Sequence, residues 1–202
     1  MTVRKARFSG EGKELYCFAD TLALCDALLA AGARIIQLRE KTLGDAAFLR
    51  LAGQMAERVR RQPGAVFIVN DRVAAALAVG ADGVHIGQED ADYRDVLQRV
   101  PPGMLVGVSV DTVSQALAAQ AAGADYLGAG AVFATSTKKD ARLIGLHGLQ
   151  AITVAVRIPV VAIGGISLDN IRQVDGAGAR RKLSPSRGLE RFLSHADQGD
   201  RR

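Results

Sequence analysis

The chain has 202 residues, 49% hydrophobic and 23% charged, with a formal net charge of +5. This composition excludes a disordered or fibrous protein and suffices for one domain with a sizeable core. Residues 179–202 supply +4 of the charge, and the rest of the chain has no basic stripe or interleaved aromatics, which argues against a nucleic-acid partner. No apolar run approaches the ~20 residues of a membrane span, so we expect a cytoplasmic protein with no membrane contact.

Short β-prone runs alternate with longer Ala- and Leu-rich stretches along the chain. This alternation predicts parallel βαβ units. Seven strands are predicted, at Leu15–Phe18, Arg34–Leu38, Ala65–Val69, Gly83–Ile86, Met104–Val108, Asp125–Gly128 and Pro159–Ile163. Seven helices are predicted, at Thr21–Ala31, Asp45–Arg60, Val73–Ala78, Tyr93–Val100, Thr112–Ala122, Gly145–Val156 and Leu168–Val174.

A Gly-Ala repeat closes every second helical stretch. It occurs at Gly32-Ala33, Gly80-Ala81-Asp82, Gly123-Ala124-Asp125 and Gly176-Ala177. Such a glycine can adopt the left-handed conformation that ends a helix. The spacing predicts an α/β protein of the TIM (β/α)₈ barrel type. A doubly wound open sheet is the alternative, disfavoured because no glycine-rich dinucleotide fingerprint follows the first strand.

The end of the chain departs from the barrel pattern. Arg180–Gly188 is basic, contains proline and lacks apolar alternation, so it is a poor candidate for a buried eighth strand. We therefore predict a barrel domain over residues 1–179 and an atypical basic tail over residues 180–202 in place of the eighth βα unit. One hypothesis is a frameshift, because codons exist for Arg180–Gly188 that encode an apolar strand in another frame.

The two cysteines, Cys17 and Cys25, have neither metal-site spacing nor enough partners for a disulfide framework. We expect both to be reduced core thiols.

Polar residues follow the predicted second strand, where a barrel carries its chemistry. Alternation places Gln37, Arg39 and Lys41 on one side, toward the barrel mouth. Two cations and an amide converging there predict an anion such as phosphate. The alternative is a solvated charge run.

Asp71 and Asp90 follow the predicted third and fourth strands. Two carboxylates beside a phosphate site would repel each other unless a cation bridged them, which predicts a Mg²⁺ site. The alternative for Asp71 is an N-cap of the helix Val73–Ala78.

Two further polar residues belong to the fourth and fifth strands. His85 is more simply a buried, hydrogen-bonded histidine than a catalytic one. Ser109 can contact a heterocycle, or serve as an N-cap or turn residue.

Phosphate-binding loops are predicted after the sixth and seventh strands. Thr135–Asp140 carries three hydroxyls and two lysines with no apolar period, and a plain flexible loop is its alternative. Gly164-Gly165 would let backbone N–H groups approach a phosphate.

Taken together, these motifs resemble the thiamine-phosphate synthase family over residues 14–179. The matching segments are Gln37–Lys41, Asn70–Arg72, Ala81–His85, Gly87–Asp90, Gly107–Ser109, Gly123–Tyr126, Thr135–Asp140 and Ala162–Ile166. Ala131 and Ala134 stand where many family members have proline.

The resemblance implies a transferase that joins 4-amino-2-methyl-5-hydroxymethylpyrimidine diphosphate to 4-methyl-5-(2-hydroxyethyl)thiazole phosphate, releasing diphosphate. It implies Mg²⁺ as cofactor, held by Asp71 and Asp90, and catalytic roles for Arg39, Lys138 and Ser109. The implied substrate-binding residues are Gln37, Leu38, Arg39, Glu40, Lys41, Asn70, Ser109, Thr135, Ser136, Thr137, Lys138 and Gly165. The expected partners are these two small molecules, with a homo-oligomer as a further option.

Two alternative functions stay open from the sequence. One is an isomerase like the thiazole tautomerase, which has no diphosphate to bind. The other is a degenerate barrel that only binds phosphate ligands, as the unusual tail suggests.

Overall fold

A computed structural model of the chain describes residues 15–88, 92–135, 142–167 and 169–178, together with the backbone of residues 14 and 181–184. Eight parallel strands pair in chain order and close into a barrel. The strands are β1 Glu14–Ala19, β2 Ile35–Leu38, β3 Val66–Asn70, β4 Gly83–Ile86, β5 Leu105–Val110, β6 Tyr126–Gly130, β7 Val160–Ile163 and β8 Arg181–Ser184. The helices between them are α1 Leu22–Ala30, α2 Asp45–Arg60, α3 Val73–Ala78, α4 Tyr93–Arg99, α5 Val113–Ala122, α6 Gly145–Ala155 and α7 Ile171–Gly176.

The closed barrel confirms the predicted fold class and shows that the open-sheet alternative is wrong. Within the predicted basic tail, Arg181–Ser184 nevertheless forms an eighth strand, although its sequence made it a poor candidate. Arg181 of β8 pairs with Glu14 of β1 and with Val161 of β7. Strand pairing uses backbone N–H and C=O groups, which every residue except proline supplies, so an unfavourable side-chain pattern did not prevent it. Residues 180 and 185–202 of the predicted tail lie outside the described residues, and the frameshift hypothesis stays a prediction.

Two apolar layers hold the barrel together. The larger lies between the sheet and the helices, and the smaller fills the barrel interior. Strand β2 shows how they alternate: Ile35 belongs to the inner layer, whereas Ile36 and Leu38 belong to the outer one. Every second residue of a strand therefore points into the barrel, and the polar residues at such positions reach its mouth.

The Gly-Ala repeat positions a carboxylate beneath two of the strands. Gly80 and Gly123 have φ angles of 58° and 101°, the left-handed conformation expected for them. Asp82 accepts a hydrogen bond of 2.8 Å from the backbone N–H of Phe67 in β3, and Asp125 accepts one of 2.9 Å from Val106 in β5. Each aspartate thus ties the start of its own strand to the strand before it.

Replacing Asp82 with alanine is expected to lower the free energy of unfolding by about 2 kcal/mol, because the buried Phe67 N–H loses its acceptor. Asp26→Ala is the matched control, since Asp26 makes a surface ion pair with Arg58, and its loss should cost less than about 1 kcal/mol. Urea unfolding of both variants measures the difference. Equal losses would contradict a structural role for the Asp82 carboxylate.

Both cysteines are free and buried, as predicted. Burial raises the pKa of Cys17 to about 12. Burial is also the largest cause of the raised pKa of Cys25, which is about 11. Neither thiol is therefore ionised at neutral pH, and we assign neither a chemical role. Within the described part of the chain, no helix is long and apolar enough to cross a membrane.

Candidate active site

Strand β2 delivers an amide and a guanidinium to the barrel mouth. Gln37 is 1% exposed, inside the barrel. Arg39, the first residue after the strand, is half-buried, with its guanidinium carbon 5.7 Å from the centre of the Phe18 ring. Phe18 itself packs on the inner apolar layer. The predicted inward alternation is confirmed for Gln37 and Arg39, and the alternative of a solvated charge run is wrong for them.

Leu38 and Glu40, from the same predicted segment, have structural roles. Leu38 is buried in the outer layer, so its side chain points away from the barrel interior. The Glu40 carboxylate accepts hydrogen bonds from the Thr42 N–H at 2.7 Å, the Leu43 N–H at 2.6 Å and the Thr42 hydroxyl. The Thr42 hydroxyl is the main group that holds the pKa of Glu40 below its ordinary value. Glu40 thus orders the loop after β2.

Arg72 fastens this loop to the rest of the barrel, a role that the sequence analysis missed. Its guanidinium carbon lies 4.2 Å from the centre of the Phe48 ring, which is a cation–π contact. It also donates to the Asp45 carboxylate at 3.1 Å and to the Leu43 carbonyl at 2.6 Å. The only signal in the sequence was the position of Arg72 beside the polar pair at the end of β3.

Asp71 is held at the rim by its backbone and by two side chains. Its φ of 58° is left-handed, which is uncommon for a residue other than glycine, and its N–H donates to the His85 carbonyl at 2.9 Å. Lys41 forms an ion pair of 2.5 Å with its Oδ2 atom, to which the Asn70 amide also donates. Helix α3 has Arg72 as its N-cap and no side-chain cap, so the N-cap alternative for Asp71 is wrong.

Among the described residues, the rim offers one carboxylate, that of Asp71, as a possible ligand for a metal ion. The side chain of Asp71 is 18% exposed, and it already accepts a cation, Lys41. Mg²⁺ is commonly bound by one or two carboxylates, with water and substrate phosphate as the other ligands. Among the described residues no group of three His, Cys, Asp or Glu could hold a metal by itself. Asp90 lies outside the described residues, so its predicted pairing with Asp71 stays a prediction.

A hydrogen-bonded chain of five side chains crosses the barrel interior. Gln37 Nε2 donates to Tyr16 OH at 2.7 Å, and Tyr16 OH lies 2.9 Å from Tyr126 OH. His85 connects the chain to the mouth, with Nδ1 3.1 Å from Tyr126 OH and Nε2 2.9 Å from Ser109 Oγ. We refer to these five residues as the interior chain. The prediction that His85 is buried and hydrogen-bonded is confirmed, since it is 4% exposed.

The two tyrosines of the interior chain, Tyr16 and Tyr126, were not among the predicted site residues. Both are fully enclosed, at 1% and 0% exposure for Tyr16 and Tyr126. Burial raises the pKa of Tyr16 above its ordinary value, although hydrogen bonds with Tyr126 and Gln37 lower it. The phenol is therefore protonated at neutral pH and has a proton to donate.

Ser109 lies inside strand β5 and is half-buried at the mouth. Its backbone carbonyl accepts a hydrogen bond of 2.7 Å from Gln88, while Thr112 is the N-cap of α5. The alternatives of an N-cap or a turn residue are therefore wrong for Ser109. Its hydroxyl lies at the barrel mouth and forms one end of the interior chain, whose other end is Gln37.

The glycine pair after β7 packs closely against the segment that follows β6. Gly164 and Gly165 have φ angles of 95° and 63°. A Cβ on Gly165 would lie 2.4 Å from the Ala134 carbonyl oxygen, so no larger residue fits there. Asn170 donates to the Gly165 carbonyl at 2.9 Å and holds the turn. Thr135, the last described residue of the segment after β6, is half-buried. Three further predicted site residues, Ser136, Thr137 and Lys138, lie outside the described residues.

The fold and the rim define a (β/α)₈-barrel enzyme with its polar side chains at the C-terminal ends of the strands. The family described as thiamine monophosphate synthase matches residues 12–182. A thiamine-phosphate synthase of Moorella thermoacetica is 50% identical over 160 residues, 79% of this chain and 76% of the relative. One from Pyrococcus horikoshii is 43% identical over 169 residues, 81% of each protein.

A solved structure agrees with the sequence relatives. Thiamine phosphate pyrophosphorylase from Pyrococcus furiosus superposes with a TM-score of 0.81 at 35% identity, covering 94% of this chain and 98% of that one. The chain belongs to the thiamine monophosphate synthase family. It is accordingly a transferase, and these comparisons do not favour an isomerase or a barrel that only binds ligands.

Proposed function

We propose that the chain is a Mg²⁺-dependent thiamine-phosphate synthase acting in the cytoplasm. It would join 4-amino-2-methyl-5-hydroxymethylpyrimidine diphosphate to 4-methyl-5-(2-hydroxyethyl)thiazole phosphate, giving thiamine phosphate and diphosphate. The observation that carries the proposal is the 50% identity with a thiamine-phosphate synthase across most of both chains. The rim around Arg39, Lys41 and Asp71 supports it, because it offers the charges that a diphosphate and its metal require.

The diphosphate would bind beside the end of β2. Arg39 offers a planar pair of donors, Lys41 a point charge and Asn70 an amide, and Lys138 would join them from the loop after β6. Asp71, together with Asp90, would hold Mg²⁺, which supplies neutralisation of the charge that builds up on the leaving diphosphate. Lys41, which is half-exposed beside the Asp71 carboxylate, would offer its ammonium group to a phosphate oxygen.

The reaction would be a dissociative substitution. The bond between the pyrimidine methylene carbon and the diphosphate oxygen breaks, and its electron pair leaves with the diphosphate. The thiazole nitrogen then donates its lone pair to the resulting cation and forms the new carbon–nitrogen bond. No protein nucleophile is needed, so the task of Arg39 and Lys138 is to stabilise the departing charge and to hold both rings together.

The thiazole phosphate would bind between the loop after β6 and the turn after β7. Thr135, Ser136 and Thr137 would provide hydroxyl donors, and Gly165 would provide a backbone approach. The close packing of Gly165 on Ala134 supports this, because it brings the two segments side by side.

A diphosphate-release assay tests the proposal. Release is expected only when both substrates and Mg²⁺ are present, and thiamine phosphate should form in equal amount. Thiazole isomerisation without diphosphate release would indicate a tautomerase. Binding of either substrate without any turnover would indicate a degenerate barrel.

Replacing Lys138 with alanine is expected to lower kcat/KM by about a hundredfold or more, because the leaving diphosphate loses a fixed positive charge. The fold should be unaffected, which the melting temperature would verify. Lys139→Ala removes the same charge one residue further along and is the matched control. An unchanged kcat/KM for Lys138→Ala would exclude the leaving-group role.

A further inference from the structure

We propose that Tyr126 and His85 are positioning residues that fix the Ser109 hydroxyl as a hydrogen-bond donor toward an unprotonated ring nitrogen of the substrate. The inference rests on the proposed function, because it specifies how the wall of that site recognises a heterocycle. It assigns a task to Tyr126 and His85, to which the proposed transfer chemistry gives no role.

The barrel makes room for the interior chain at two glycines. A Cβ on Gly107 would lie 2.0 Å from Tyr126 Cζ, and one on Gly128 would lie 2.9 Å from His85 Cε1. A side chain at Gly107 would displace the Tyr126 ring, and one at Gly128 would press on both the Ile163 side chain and the His85 ring. The rings of Tyr126 and His85 also contact each other, with centroids 5.5 Å apart. The interior chain is therefore held by the packing of the strands as well as by its hydrogen bonds.

The Gln37 amide sets the direction of the hydrogen bonds. With Nε2 toward Tyr16, no donor from the described residues reaches Gln37 Oε1. In the reversed orientation, Oε1 would accept a hydrogen bond from Tyr16 OH. Both amide N–H groups would then point to the place where Oε1 now has no donor among the described residues. A buried N–H without an acceptor is rarer in proteins than an under-satisfied carbonyl, so the first orientation is favoured.

Along the hydrogen bonds of the interior chain, this orientation favours one position for the proton of each later member. Tyr16 accepts from Gln37 and turns its own proton to Tyr126, and Tyr126 in turn donates to His85 Nδ1. With Nδ1 as acceptor, the neutral imidazole carries its proton on Nε2 and donates it to Ser109 Oγ. The Ser109 hydroxyl, with its oxygen already accepting, directs its proton into the mouth.

A fixed donor selects among heterocycles. It favours a ring nitrogen with a free lone pair, as an aminopyrimidine has, over a C–H or a protonated nitrogen at the same place. If Nδ1 of His85 lost its donor, the imidazole could change tautomer and the Ser109 hydroxyl could turn toward it. The substrate would then lose an oriented partner without any loss of apolar packing.

The tautomer can be measured without turnover, by ¹⁵N NMR of the imidazole in the free full-length protein, with His85→Gln to assign the signal. The Nε2-protonated form is expected in the wild type, and a mixture of tautomers in Tyr126→Phe. A wild-type His85 protonated on Nδ1 would overturn the proposal. Because no substrate is involved, this result stands even if the diphosphate-release assay shows no synthase activity.

A double-mutant cycle tests the positioning role. Tyr126→Phe is expected to lower kcat/KM for the pyrimidine diphosphate about tenfold, with KM for the thiazole phosphate unchanged, and to have no further effect in Ser109→Ala. Equal losses in both backgrounds would mean that Tyr126 acts through general packing and would overturn the proposal. Tyr93→Phe, a buried tyrosine of α4 outside the interior chain, is the matched control. Should Tyr126→Phe fail to fold, the wild-type tautomer decides.

Discussion

Replacing Asp71 with asparagine is expected to lower kcat/KM for thiamine phosphate formation by about a hundredfold or more, roughly 3 kcal/mol of transition-state stabilisation. The reason is the loss of one negative charge at the rim, where Asp71 would hold Mg²⁺. Asparagine tolerates the left-handed backbone that Asp71 adopts at φ 58°, so the fold should be preserved. The variant thus separates the charge of the residue from its conformation.

Two measurements make this prediction specific. The Mg²⁺ concentration needed for half-maximal activity should rise in Asp71→Asn, and the melting temperature should stay close to that of the wild type. Asp26→Asn removes the same charge from the surface of α1 and should change neither quantity. An Asp71→Asn enzyme with the wild-type Mg²⁺ requirement would show that the metal is held elsewhere.

Replacing Gly107 with alanine is expected to destabilise the protein by about 3 kcal/mol or more, beyond most overpacking substitutions. The added Cβ would meet Tyr126 Cζ at 2.0 Å and its hydroxyl oxygen at 2.4 Å. Tyr126 is fully buried in the inner layer, and a rotation away from Gly107 would break its hydrogen bonds with Tyr16 and His85. Strand β5 is paired on both sides and cannot withdraw.

Gly53→Ala provides the opposite control. Gly53 lies within helix α2 and a Cβ there would have nothing within 4 Å, so alanine should stabilise the protein by about 1 kcal/mol. Chemical denaturation of the two variants compares them directly. A Gly107→Ala protein as stable as the wild type would show that Tyr126 has a second place to pack.

Local signals were sufficient to predict most of the secondary structure. The predicted bounds of helix α2 are confirmed. Its apolar period is regular, with Asp45 in its first turn and Arg58 and Arg60 in its last turn. Strand β4 was likewise predicted from its apolar run and the glycine before it. Helix α7 begins at Ile171, later than the predicted Leu168, since Asn170 and Ser167 form a turn there. Strand β8 was not predictable from its side-chain pattern, because it forms through the backbone partners that barrel closure supplies on both sides.

The site was predictable where strand alternation alone decides the direction of a side chain. This holds for Gln37 and Arg39. The Glu40 carboxylate instead accepts hydrogen bonds from the backbone of its own loop, which no spacing rule predicts. Tyr16 and Tyr126 looked like ordinary β-prone core residues. Their hydrogen bond joins positions 110 residues apart and exists only once the barrel has closed. The interior chain is therefore a property of the tertiary structure.

The aspartates of the Gly-Ala-Asp repeat have a consequence for how this barrel can change. Asp82 and Asp125 tie neighbouring strands together at their N-terminal ends, the opposite end of the barrel from the reacting groups. Because these stabilising hydrogen bonds and the reacting groups lie at opposite ends of the barrel, the loops at the reacting end can be exchanged without removing either hydrogen bond. An engineer grafting new loops onto this scaffold should therefore leave both aspartates in place and concentrate variation above the strands.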